Sequence, residues 1–186
     1  WLFELDAKQA GSPTAAWEPP MISVGHVWSR QLRQAIERQV LPAYLKHCRW
    51  FGGKGRALRE VMIVQEAMFP GVDVRVLEIK VAFLQDLSES YILPVTIIDG
   101  AQAEQLLAEM PTAVLAKLDE TQVLCDALRM PGFHAKLFTA MAGVSSLDEP
   151  FRLRGDPKLN VEKDADPLRK ASAISHVLSG EQSNTN

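Results

Sequence analysis

The chain is predicted to be α+β: an N-terminal helix packed on an antiparallel sheet, followed by a second unit of helices and short strands. Three observations carry the first part. Apolar residues recur every three or four positions from Leu32 to Leu45, two alternating runs flank the turn dipeptide Pro70-Gly71, and a third run follows the polar turn 86–90. One helical stripe feeding a three-strand meander is an α+β unit.

Ser29 is a candidate N-cap, and Leu32, Ala35, Ile36, Val40 and Leu41 line one helix face. Pro42 lacks an amide hydrogen, so it either kinks this helix near Val40 or starts a second one, which Tyr44 and Leu45 continue until Gly52-Gly53 stops it. Glu60–Phe69 alternates as a strand. In the next run Val72, Val74 and Val76 share one phase while Leu77, Ile79, Val81 and Phe83 share the other, which predicts a bulge in mid-strand. Tyr91–Ile98 is the third strand, and Pro94 predicts an edge or bulge position for it.

Beyond Asp99-Gly100 a second unit is expected, with a helix at 101–110, a short buried strand at 113–118 and a helix at 132–142. Residues 151–170 are charged and hold two prolines, which predicts an exposed loop; 170–178 is a weak strand, and a polar tail closes the sequence. Ala7–Pro20 is rich in Ala, Gly, Pro and Thr and is read as a linker. The expected domains are therefore 1–6, the end of something upstream; 7–28, a linker; 29–99, the first α+β unit; and 100–186, a truncated second unit.

Composition narrows the function classes. At 47% hydrophobic and 23% charged residues, 186 residues bury one good core or two small ones, and no apolar run approaches the roughly 20 residues of a membrane span. The first residues carry no basic, apolar leader, and Cys48 and Cys125 have no metal or redox spacing, so a cytoplasmic protein with reduced thiols is expected. Residues 28–59 hold eight Lys or Arg against Glu37 alone, whereas 86–126 hold eight acids against Lys117. Such blocks read as solvated faces or mutual steering; without a nucleic-acid module, no nucleic acid is expected as a partner.

The least ordinary stretch is Arg49-Trp50-Phe51-Gly52-Gly53-Lys54-Gly55-Arg56. Its Gly-Lys pair fails the phosphate-loop pattern, because Cys48 stands where the first glycine belongs and Gly55 where the hydroxyl belongs. The turn either offers backbone amides to an anion or locks a helix onto the sheet, and the failed pattern favours the lock. Trp50 and Phe51 are both expected to be buried, so that Trp50→Ala would cost about 3–5 kcal/mol. His26, His47, His134 and His176 have no ligand partners at metal spacing, Ser145-Ser146 lacks a nucleophile elbow, and Asp119-Glu120 and Asp164/Asp166 read as loop charge. No catalytic or metal residue is assigned.

Val40-Leu-Pro-Ala-Tyr-Leu-Lys-His-Cys-Arg-Trp-Phe-Gly-Gly-Lys-Gly-Arg56 closely resembles the N-terminal cap of bacterial maltokinases. Tyr91-Ile-Leu-Pro-Val95, Cys125-Asp-Ala-Leu128 and Gly180-Glu-Gln-Ser-Asn-Thr185 are similar to later stretches of that family in the same order, and Trp1-Leu-Phe-Glu-Leu5 is similar to the closing strand of a trehalose synthase. The resemblance implies a piece of a trehalose synthase–maltokinase fusion, cytoplasmic, acting in trehalose and α-glucan metabolism: 1–6 would end an amylase-like domain, 29–99 would be the cap, and 100–186 would be the truncated start of a kinase-like N-lobe with helices and short strands. ATP with Mg would phosphorylate maltose at its anomeric hydroxyl in the whole enzyme, and Gln182, Ser183, Asn184 and Thr185 would meet the nucleotide. Asn186 departs from the family's more usual serine. The sequence ends before the expected ATP-binding lysine strand, so the fragment alone is expected to be inactive and to hold no tight cofactor. The other kinase lobes and the synthase domain are its implied partners. An interaction module docking kinase to synthase, or a small anion- or sugar-binding domain, are the alternatives.

Overall fold

The computed structural model describes residues 17–25, 27–141 and 151. Ser29 is the N-cap as its chemistry predicts: its hydroxyl accepts from the Leu32 amide at 3.1 Å and opens α1, Arg30–Ala35. A π-helical segment, Ile36–Val40, follows and leads into α2, Leu41–His47. Pro42 explains the wider turn. It has no N–H to return to the preceding turn and its ring crowds the carbonyl four residues back, whereas the Leu41 amide reaches the Ile36 carbonyl five back and lets the helix pass the proline.

The strands are β1, Leu58–Met68; β2, Arg75–Phe83; β3, Glu89–Asp99; β4, Val114–Lys117; and β5, Gln122–Asp126. They form one antiparallel sheet in the order β1-β2-β3-β5-β4. The Pro70-Gly71 hairpin forms as expected, with Gly71 at φ 74° and the Phe69 amide on the Val74 carbonyl at 2.7 Å. Two helices complete the fold: α3, Gly100–Glu109, and α4, Pro131–Met141.

The phase change in β2 has a different cause from the bulge predicted there. The β2–β3 ladder is regular throughout, and the register shifts of the β1–β2 ladder fall in β1, between Leu58 and Glu60 and between Ile63 and Gln65. Val76 and Leu77 point to opposite faces and both are buried, because the two faces are covered by different elements. Leu77, Ile79, Val81 and Phe83 enter the main core with Leu32, Ile36, Val40, Leu41, Tyr44 and Leu45 of the helical segment. Val76 joins Phe69, Phe133 and Ala140 under α4, while Val123 and Val114 meet Ala103 of α3.

Pro94 sits in a strand with neighbours on both sides, contrary to a simple edge placement. Its half of β3 nevertheless has one open side, since pairing with β5 starts only at Val95. Two further features lay below the sequence reading. β5 was not predicted, and through it the sheet begun before Gly100 takes its last two strands from after it. Within the stretch read as a linker, Trp17 and Ile22 enter the main core; the Trp17 indole donates to the Val114 carbonyl at 2.8 Å, and Met21 bridges Lys117 in parallel at the outer side of β4. Of the expected loop 151–170 only Phe151 is among the described residues, and the expected strand 170–178 lies outside them.

Candidate functional site

The octapeptide 49–56 leaves α2 and enters β1, and its chemistry is governed by rings. Phe51 is 2% exposed and lies against Phe83, with centroids 6.5 Å apart and near-parallel planes, and against Tyr91 at 5.4 Å. Gly53 explains the double glycine. A Cβ there would stand 2.5 Å from the Phe51 ring tip and 2.8 Å from two Phe83 ring atoms, closer than non-bonded carbons approach. At Gly52 and Gly55 the same atom would meet nothing within 4 Å.

Arg56 closes the cluster. Its guanidinium lies 3.8 Å from the Phe83 ring centre and donates to Glu89 at 2.6 Å, and the Tyr91 hydroxyl donates to the same carboxylate. These two hydrogen bonds, Tyr91's first, hold Glu89 below the ordinary carboxylate range. Burial and the same carboxylate raise the Tyr91 phenol.

Trp50 differs from the reading that buried it. It is 42% exposed, tilted against Tyr91 at 5.6 Å and edge-on to Phe51. Two backbone hydrogen bonds fold the turn: the Phe51 amide donates to the Cys48 carbonyl at 3.2 Å and the Arg56 amide to the Gly53 carbonyl at 3.0 Å.

A second cluster lies under α2. Tyr44, Cys48 and Cys125 are buried, as is Asp126, the one buried charged residue among those described. Asp126 accepts from the Leu128 amide at 2.9 Å. Burial raises its carboxyl, and it pushes both thiols, unbridged, up to about 12, keeping them protonated and unreactive. Sequence spacing pointed to none of this grouping; only the β5 pairing brings Asp126 beside α2.

A third group guards the free edge of β1. The Ile63 amide donates to Glu37 at 2.8 Å, Arg33 donates to the Ile63 carbonyl, and Glu66 draws together Trp28 at 3.1 Å, Arg75 at 3.5 Å and Arg33 at 3.7 Å. Two α1-side residues thus occupy the place of a neighbouring strand. Of the basic block, Arg33 and Arg56 are consumed in such pairs, whereas Arg30 and Arg38 are exposed.

Among the described residues no three His, Cys, Asp or Glu side chains stand where they could hold a metal, and no helix is long and apolar enough to cross a membrane. Gln182, Ser183, Asn184 and Thr185, the residues assigned to the nucleotide, lie outside the described residues, as do His26 and His176.

The fold and its ring-locked turn define a small α+β domain whose distinctive sequence is architectural. Residues 44–129 match the family model of the maltokinase N-terminal cap domain. The match starts at Tyr44, overlaps the expected cap over 44–99 and continues through β5 to Arg129. Comparison with curated proteins gives no match.

Proposed function

We propose that the chain is the non-catalytic N-terminal part of a maltokinase and that its cap shapes and supports the kinase lobe. The observation that carries this is the coincidence of the matched cap span with the locked junction at Phe51, Gly53 and Phe83. In the whole enzyme the γ-phosphoryl of ATP passes to the anomeric hydroxyl of maltose, giving ADP and maltose 1-phosphate. Such transfer rests on positioning and charge neutralisation. This reading assigns ATP and Mg to the whole enzyme, with Gln182–Thr185 as the segment of this chain that would meet the nucleotide. The remaining kinase lobes, maltose and a fused trehalose synthase are the partners of this reading, and two unbridged cysteines fit a cytoplasmic setting.

The test is maltose-dependent ADP release. A chain that continues this cap into complete kinase lobes should form maltose 1-phosphate, while residues 1–186 alone should not turn over. Sugar-independent ATP consumption by the longer chain, or turnover by 1–186, contradicts the reading.

One observation favours a second role as a docking module for the synthase: among the described residues the exposed Arg30 and Arg38 make no ion pair of the kind that engages Arg33. Charge reversal at these two should weaken a pull-down with the synthase and make it less salt-sensitive. Unchanged capture rules out the electrostatic form.

A further inference from the structure

Among the described residues, one buried side-chain polar atom lacks a hydrogen-bond partner, the carboxamide oxygen of Gln122 at the start of β5. Native structures leave few such atoms, and each calls for a water, an ion or a ligand. Gln122 lines a cavity of about 420 Å³, a size that suits a small organic molecule.

Four of the residues that line it, Trp28, Val95, Ile97 and Leu124, belong to the main core between the helical segment and the sheet. Val95, Ile97 and Leu124 form an apolar floor, Trp28 and Arg75 stand on one wall, and the exposed Asp73 and Asp99 are at the rim. Arg75 is already engaged, 3.5 Å from Glu66 and with its guanidinium 4.7 Å from the Trp28 ring centre. It leaves no spare cation for an anion. A cation inside would also be poorly matched, because both lining carboxylates are solvated and a charge drawn from water needs a desolvated partner. A hydroxyl meets neither penalty. It can donate to the neutral Gln122 amide, whose terminal torsion is broad enough to swing the oxygen toward the space, while C–H faces cover the apolar floor.

We propose that this cavity binds a small neutral polyhydroxylated ligand, a sugar or a sugar alcohol. The proposal stands apart from the kinase reading, since it concerns binding to the cap whatever the rest of the enzyme does. Gln122 supplies the acceptor, and Trp28 and the floor supply shape.

The test is an NMR titration of the chain with glucose, maltose, sorbitol and glycerol, following the Trp28 indole N–H assigned with Trp28→Phe, and with sulfate and spermidine as charged controls. At least one sugar or sorbitol should give a saturable shift with Kd on the order of 1–10 mM. Gln122→Met, which keeps the length of the side chain and removes the acceptor, should weaken it at least about five-fold. Should that variant fail to fold, intermolecular NOEs from sugar protons to Trp28 and Leu124 in the unsubstituted chain carry the same information. Absence of saturation up to about 100 mM, undiminished affinity in folded Gln122→Met, absence of those NOEs, or tighter binding of sulfate or spermidine overturns the proposal.

Discussion

Phe51 and Trp50 are neighbours in sequence with opposite fates. Phe51 is enclosed by Phe83 and Tyr91, so Phe51→Ala should destabilise by about 3–5 kcal/mol. Trp50 keeps 42% of its surface, and its removal should cost only about 1–2 kcal/mol, with urea midpoints separating the two variants. Asp126 gives a prediction in pH. Burial raises its folded pKa above the ordinary carboxyl value, so the stability its neutral form contributes is complete below that ordinary value and is lost as pH rises through the folded one. Asp126→Asn keeps an oxygen for the Leu128 amide and cannot ionise. Unfolding free energy measured from pH 4 upward should therefore fall less steeply in the variant. The sequence marked the double glycine and the two rings as unusual, but which ring is buried depends on Phe83 and Tyr91, some 30 to 40 residues away.

At the scale of elements, α1 was legible from Ser29 and its apolar stripe, and β1 to β3 from alternation and the Pro-Gly turn. The π segment was half legible: Pro42 signalled a disturbance, and only the backbone shows that the helix widens before it. The supposed bulge in β2 failed for a physical reason, since alternation reports which face is covered, and two layers covering different faces mimic a slipped register. β5 escaped because five residues beside an acid-rich turn carry too short a pattern. The edge of β1 yields the element-scale prediction. Glu37→Ala strips the Ile63 amide of its charged acceptor and should cost about 1.5–3 kcal/mol by urea unfolding, whereas Glu37→Gln, which retains an oxygen, should recover part of that loss.

Over the whole molecule, the helical segment covers one face of a single five-stranded sheet, α3 and α4 pack on parts of the other, and the residue 17–22 segment runs along β4. The fold class could be read from sequence because helix and strands have their own periods; the layering could not, because it is set by contacts between distant residues. The central claim is that the glycine-rich junction is a lock between helix and sheet. Urea unfolding of Gly53→Ala tests it most directly, followed by tryptophan fluorescence and far-UV circular dichroism together. Coincident transitions and a loss of about 1–3 kcal/mol are expected, because the added methyl must displace the buried Phe51 and Phe83 rings. A midpoint equal to that of the unsubstituted chain would show that the rings have room to move and that the junction is no lock.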